Sequence, residues 1–335
     1  MGGTDTILAG DIGGTKTVIA LFETTRGGGL NAIREVNYAS TEYESLESVL
    51  DQFLSESRED APRPRAACFG VAGAVQEGAV ETTNLPWRFS EEGLARATGV
   101  DRVKLLNDLQ AMAHGMLFLQ EDDLEILNPG VPPYGRGNIA VIAAGTGLGQ
   151  AMLYWDGERH HPVGTEAGHA GFSAQTEQQI ALLRHMRDRT GGHVAYEGVL
   201  SGPGLYEIYQ FLRSHEGTAE PGWLTRRLQQ GDPSAAVSEA GLGNEDPVCS
   251  QTLELFVSIY GAETGNMALR YLALGGVFVG GGIAPKILPA LRSGAFMKAF
   301  REKGYHAPML ERMRVAVALE PKAALLGAAH YALRL

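Results

Sequence analysis

The feature that most constrains this chain is a structural unit that occurs twice. Thr6-Ile7-Leu8-Ala9-Gly10-Asp11 reads as a strand, Gly13-Gly14 follows, and Thr17-Val18-Ile19-Ala20-Leu21-Phe22 is a second, β-branched run. Two glycines between two such runs form a tight hairpin. The pattern returns near the middle of the chain. Asn138–Ala144 is a strand, Gly145-Thr146-Gly147-Leu148-Gly149 a glycine loop, and Gln150–Trp155 a second strand. One such hairpin near the beginning of each half predicts duplicated α/β domains facing each other across a cleft.

The intervening segments fit this plan. Apolar residues at helical spacing (Leu46, Val49, Leu50, Phe53, Leu54) predict a helix over 43–57, and Pro62 and Pro64 break the chain before a strand at 66–70. Ser90 is a candidate N-cap for a helix that Gly99 ends. Val103–Leu106 reads as a buried strand with Asn107-Asp108 at its carboxyl end, followed by a helix over 109–119. The stretch 217–247, rich in Gly, Pro, Ser and charge, is expected to be a peripheral helical or loop segment. Val277–Val279 runs into Gly280-Gly281-Gly282, with Pro285 suited to the first turn of a following helix. A last strand at 314–319 precedes an apolar helix at 323–333, expected to pack back on the N-terminal domain. At 335 residues the size favours two domains: a smaller one at 1–120 completed by the C-terminal helix 320–335, and a larger one at 121–319.

The glycine loops invite two familiar readings that their context rejects. Gly10–Thr17 misses the P-loop pattern because Thr15 stands where glycine is required, and Lys16 opens a strand where a P-loop lysine opens a helix. Gly145–Gly149 lacks the spacing of a dinucleotide fingerprint. What remains is a pair of hairpin turns whose backbone N–H groups suit phosphate oxygens. Gly13, Gly14 and Thr15 would grip phosphate on one side and Gly145, Thr146 and Gly147 on the other. Gly280–Gly282, meeting a helix N-terminus, would lie against an adenosine without side chains to collide with it. Asp11, beside the first turn, would orient Mg²⁺ through its waters. Lys16 is either near the phosphates or an exposed strand lysine, and the residues leave both open.

Charge narrows the class. Charged residues are 20% and hydrophobic residues 44%, ordinary for a globular protein, and the net charge of -11 disfavours nucleic acid and anionic membrane as partners. The two cysteines, Cys68 and Cys249, belong to no metal-like cluster, and Cys68 in an apolar run is expected to be a buried free thiol. The N-terminal residues lack a signal-peptide pattern and no apolar run is long enough to span a membrane. A soluble protein in the reducing cytoplasm is expected.

Six segments, in order, carry a resemblance: Asp11-Ile-Gly-Gly-Thr15, Leu106-Asn-Asp108, Gly145-Thr-Gly-Leu-Gly149, Glu166-Ala-Gly-His169, Tyr196-Glu-Gly-Val-Leu-Ser-Gly202 and Gly280-Gly-Gly-Ile283. This ordered set resembles the bacterial-type ATP-dependent glucokinases of the hexokinase/actin-like ATPase superfamily, from about Ile7 to the last helix. The resemblance implies two actin-like (ribonuclease H-like) α/β domains flanking a deep cleft, ATP and Mg²⁺ as phosphoryl donor, and glucose in the cleft. It also implies a homodimer. Carried over residue by residue, Asp108 looks like the catalytic base, and Asn84, Asn107, Asp108, Glu166, His169 and Glu197 like the glucose-binding residues. The activity implied is transfer of the γ-phosphoryl group of ATP to the 6-hydroxyl of glucose. Related ROK kinases and repressors often carry a zinc-binding cysteine cluster after the Glu-x-Gly-His segment, whereas Ala170–Thr176 here holds no cysteine. With the first strand read as beginning at Thr6, no DNA-reading module is expected before it.

Each residue also has a plainer role. Asp108 is placed to cap the helix over 109–119, Glu166 and His169 to occupy a solvated loop, Glu197 to precede a helix, and Trp87 to pack. A metal site built from His160, His161 and His169 fits no zinc spacing. The competing functions are a kinase for another hexose or amino sugar (mannose, fructose, N-acetylmannosamine) and a sugar-independent actin-like ATPase.

Overall fold

A computed structural model describes residues 5–25, 29–56, 63–82 and 85–335. It divides into two compact units: Met1–Gln120 with His160–Gly164 and Glu320–Leu335, and Glu121–Arg159 with Thr165–Leu319.

In the first unit β1 (Thr6–Ile12) and β2 (Lys16–Thr24) form the expected hairpin, followed by β3 (Leu30–Ala39) and β4 (Ala66–Val71). Three short strands, β5 (Val75–Gln76), β6 (Ala79–Glu81) and β7 (Arg88–Ser90), make a small sheet of their own. With β8 (Val103–Asn107) the main sheet has the order β3-β2-β1-β4-β8. The helix over 43–57 is α1 (Leu46–Ser55), started by a capping box between Ser45 and Ser48. Ser90 caps α2 (Glu91–Thr98) by accepting the Gly93 N–H, and Gly99 ends it with φ 68. The next helix, α3 (Asp108–Gly115), is shorter than its apolar pattern predicts and closes in a 3-10 turn at Met116–Phe118.

Both faces of this sheet are covered. Leu8, Phe69, Leu46, Phe53 and Trp87 lie in one core, and Trp87 donates its indole N–H to the Tyr43 carbonyl at 3.1 Å, the packing role expected of it. Ile7, Ala9, Cys68 and Ala111 lie in a second core with Ala324, Leu325, Ala328 and Ala332 of the C-terminal helix (Ala323–Ala332). Cys68 is a buried free thiol. The C-terminal helix crosses α3 at backbone contact: a Cβ on Gly327 would collide with the Ala111 carbonyl oxygen, and one on Gly115 with that of Ala323.

The second unit repeats the strand plan. β9 (Leu124–Asn128) precedes β10 (Ile139–Ala144) and β11 (Leu148–Trp155), an antiparallel hairpin whose second arm starts two residues before the expected Gln150. β10 then pairs in parallel with β12 (Gly276–Gly280), and β12 in parallel with β13 (Val315–Ala318), as β1 pairs with β4 and β4 with β8. The longer helices are α4 (Glu177–Thr190), α5 (Gly202–Glu216), α6 (Gly222–Gln230), α7 (Pro233–Leu242) and α8 (Pro247–Arg270). Two expectations fail here. The stretch 217–247 is helical but not peripheral, because Leu224, Val237 and Ala240 are buried in the core of this unit. Nor does a regular helix follow Gly282 with Pro285 in its first turn. Residues 281–287 coil through tight turns that send the Ile283 N–H back to the Ala144 carbonyl, and helical structure resumes only at Leu288–Leu291.

Candidate functional site

In the first unit the site grows from strand register. β1, β4 and β8 run parallel, with Ile12 beside Val71 and Val71 beside Asn107, so their carboxyl ends are level. The carboxyl ends of parallel strands are where open α/β sheets present ligand-binding groups. Asn107 leaves β8 in extended backbone and caps α3. Its Oδ1 accepts the Leu109 N–H at 3.0 Å, its own N–H donates to Gln110 Oε1 at 3.0 Å, and its Nδ2 donates to the Gly73 carbonyl at 3.0 Å. The cap is therefore Asn107, one residue before the Asp108 that position suggested. Asp108 is the first residue of the helix and accepts the same Leu109 N–H through Oδ1 at 2.8 Å, where the helix dipole favours a negative group.

Asp11 is half-buried at the end of β1. Burial, and then the negative charge of Asp108, push its carboxyl up to about 6, while the Lys16 ammonium acts in the opposite sense. The turn between them is held from behind. The Gly13 N–H donates to the Lys16 carbonyl at 3.0 Å, the Ser40 N–H to the Thr15 carbonyl at 3.0 Å, and Ser40 Oγ to the Gly13 carbonyl at 2.8 Å. Thr15 and Lys16 are exposed and Gly13 and Gly14 partly so. Ser40, a brace that sequence reasoning missed, lies 27 residues beyond Gly13 and has no local signal. Asn84 lies outside the described residues.

In the second unit three predicted segments are tied together. The Gly145 N–H donates to the Gly147 carbonyl at 2.8 Å, and the Gly202 N–H donates to the Gly145 carbonyl at 2.8 Å, joining the loop to the N-terminus of α5. Glu197 accepts the Leu148 N–H through Oε2 at 2.9 Å and lies so close that a Cβ at Gly147 would sit 2.5 Å from that oxygen. Glu166 and His169 bracket a 3-10 turn closed by the His169 N–H on the Glu166 carbonyl at 3.0 Å, and the Glu197 N–H donates to Gly168 at 2.9 Å. Glu166 and His169 are exposed and Glu197 is half-buried.

Beside this cluster is a cavity of about 740 Å³ within the second unit, a volume suited to a small ligand. Gly145, Thr146 and Gly282 line it, as do Pro203 and Tyr206 from α5, Asp232, Ser234 and Ser238 at α7, and Ile283, Lys286 and Ile287. Gly280 is buried at the end of β12 and Gly281 follows it in the turn; neither lines the cavity. Sequence reasoning missed the α7 wall because the composition of 217–247 reads as peripheral. The Ser201-Gly-Pro-Gly204 start of α5 was the one available signal for the α5 wall. Among the described residues no group of three or more His, Cys, Asp or Glu is placed to hold a metal ion, and no helix is long and apolar enough to cross a membrane.

Comparison with known proteins places this architecture in a class. A solved glucokinase from an Antarctic psychrotroph superposes with a TM-score of 0.87 at 29% identity, over 99% of each chain. A ROK family glucokinase from Streptomyces griseus, in complex with glucose and AMPPNP, superposes with a TM-score of 0.65 at 22% identity, over 99% of this chain and 100% of that one. The fold is thus the α/β fold of the actin-like ATPase class, as the sequence led us to expect. A family model described as Glucokinase matches residues 8–335, and the glucokinase of Nostoc punctiforme is 39% identical over 98% of this chain and 99% of its own. The chain belongs to the glucokinase family, enzymes that transfer phosphate from ATP to glucose.

Proposed function

We propose that this chain transfers the γ-phosphoryl group of ATP to the 6-hydroxyl of glucose, yielding glucose 6-phosphate and ADP. The observation that carries the reading is Asp108, held in the first turn of α3 at the level carboxyl ends of three parallel strands and within electrostatic reach of Asp11. Phosphoryl transfer asks the protein for alignment, charge neutralisation and removal of one proton. Asp108 accepts the proton of the sugar hydroxyl as the hydroxyl attacks. Glu166 and Glu197 accept hydrogen bonds from other sugar hydroxyls, His169 donates or accepts, and Asn107 offers the amide hydrogen it does not give to Gly73. Asn84 completes the set.

The adenosine enters the cavity beside Gly282, with Tyr206 and Ile283 as apolar walls. The Gly145–Gly147 turn of the second unit and the Gly13–Lys16 turn of the first each offer backbone N–H groups suited to phosphate oxygens. Asp11 suits a magnesium ion by the chemistry of its surroundings: it is an oxygen donor whose charge is disfavoured by burial and by Asp108, and Mg²⁺ is characteristically bound through one or two carboxylates, phosphates and waters. When bound, the ion would neutralise charge on the phosphates. A cytoplasmic homodimer with domains at 1–120 plus 320–335 and at 121–319 completes the reading. Light scattering of the purified chain checks the dimer.

Product formation from ATP and Mg²⁺ across glucose, mannose, fructose, glucosamine and N-acetylmannosamine, with Asp108→Asn alongside, tests the activity. Asp108-dependent glucose 6-phosphate is expected. Preference for another sugar would reassign the substrate, and sugar-independent ATP hydrolysis untouched by the substitution would overturn the reading.

A further inference from the structure

The middle of α8 carries an acid that the chemistry above does not use. Glu263 is completely buried, yet it faces four polar groups. Arg270 donates to Oε1 at 2.7 Å, Gln150 Nε2 donates to Oε1 at 3.2 Å, and Asn266 Nδ2 donates to Oε2 at 2.9 Å. The fourth is the buried hydroxyl of Tyr196, which Asn266 also reaches at 3.3 Å. Burial, and next the charge of Glu263, raise the pKa of that phenol, against hydrogen bonds from Ser173 that act in the opposite sense. A buried charge is retained only when it is paired and its lone pairs are satisfied.

The partners of Glu263 lead to the sugar-facing residues by two routes. Tyr196 is the residue before Glu197, whose carboxylate rests on the Leu148 N–H. Gln150 lies two residues further along the same strand, and its backbone carbonyl accepts the Thr165 hydroxyl at 2.8 Å. That hydroxyl in turn accepts the Ala167 N–H at 3.2 Å, inside the turn between Glu166 and His169. Among the described residues the other atom of the Gln150 carboxamide, Oε1, is buried with no hydrogen-bond partner. The orientation of that carboxamide is therefore set by Glu263.

We infer that Glu263 is a positioning residue that holds both arms of the sugar-binding cluster, Glu197 through Tyr196 and the Glu166–His169 turn through Gln150 and Thr165. It touches neither substrate nor phosphate; its carboxylate fixes where the hydroxyl-binding groups stand. The inference rests on the assignment of Glu166, His169 and Glu197 to glucose.

The test is steady-state kinetics with glucose and ATP varied separately, on Glu263→Gln, Tyr196→Phe, their double variant and Glu197→Gln. Glu263→Gln keeps the shape but turns amide hydrogens toward existing donors. A rise of about tenfold in KM for glucose is expected, with KM for ATP within about twofold of wild type. Tyr196→Phe should raise the glucose KM about threefold, and the double variant should be less impaired than the product of the singles. Should Glu263→Gln fail to fold, Tyr196→Phe carries the test, because it removes one hydroxyl and leaves the ion pair with Arg270 in place. Unchanged glucose KM in Tyr196→Phe and in folded Glu263→Gln overturns the positioning role, as does an equal rise in both KM values with a lowered Tm. An unchanged glucose KM in Glu197→Gln strikes the underlying sugar assignment instead.

Discussion

At neutral pH Asp11 is ionised in surroundings that disfavour its charge, its pKa raised from 3.8 to about 6 by burial and then by Asp108. The folded chain holds this proton more tightly than the unfolded chain. The group therefore favours folding below pH 3.8, and that contribution is lost as the pH rises through about 6. Asp11→Asn is expected to stabilise the ligand-free protein at pH 7 by on the order of 1–3 kcal/mol, while turnover falls. Urea midpoints check this, and a destabilised variant would contradict it. Asp108→Asn is expected to lower turnover by about 10²–10⁴-fold with the fold intact. It should also shift the Asp11 titration downward, since the Asp108 charge is one of its causes; carboxyl NMR of the ligand-free protein reads that directly.

The crossing of α3 and the C-terminal helix is the element on which the placement of Asp108 depends. Their contact at Gly115 and Gly327 is backbone on backbone, with no flexible side chain to move aside. Gly327→Ala is expected to cost about 2–4 kcal/mol, seen as a lowered Tm with reduced activity; a wild-type Tm would refute the close contact. The same junction holds His114, fully buried with Nδ1 2.9 Å from the Gly327 carbonyl, and His330, stacked on Phe118 with ring centroids 3.5 Å apart. Burial lowers the pKa of each from 6.5 to about 4. Both are neutral in the folded chain, so the stability they contribute is present above pH 6.5 and is lost as the pH falls toward 4. This is opposite in sign to Asp11. His330→Phe, which keeps the stacked ring, should flatten the loss of stability over that window in denaturant titrations; an unchanged slope would remove His330 from it.

For the molecule as a whole, a net charge of -11 means that an anionic nucleotide gains nothing from the overall field and must be held by local groups. Hydrogen exchange with AMPPNP and Mg²⁺ is expected to slow at 202–206, 232–238 and 282–287, the walls of the 740 Å³ cavity, and to leave the C-terminal helix unchanged. At a hundredfold excess over Kd the protein should gain about 2.7 kcal/mol of stability. Protection confined to other segments would move the nucleotide elsewhere.

Legibility followed the range of the forces involved. The two hairpins, the Ser90 cap and the Gly99 stop were readable because glycine turns and capping side chains act within a few residues. Lying next to each other in the chain, Asn107 and Asp108 were marked as a pair, but which of them caps the helix depended on how β8 leaves the sheet. The buried role of α7, the turns after Gly282 and the Ser40 brace were not readable, since each depends on packing between residues distant in the chain. Glu263 was hidden for the same reason: α8 is apolar on most sides, and an acid within it reads as a surface residue until its partners are seen.

The chain by itself determined the two hairpins, the strands at 66–70, 103–106, 277–279 and 314–319, and the motif order that marks the family, because periodicity and backbone freedom are local properties. Tertiary structure alone decided that Ile12, Val71 and Asn107 end level, that segments near 145, 203, 234 and 283 enclose one cavity, and that the buried carboxylate of Glu263 gathers Gln150, Asn266 and Arg270. Those outcomes come from sheet register and helix packing, which bring residues together across separations that local sequence pattern does not encode.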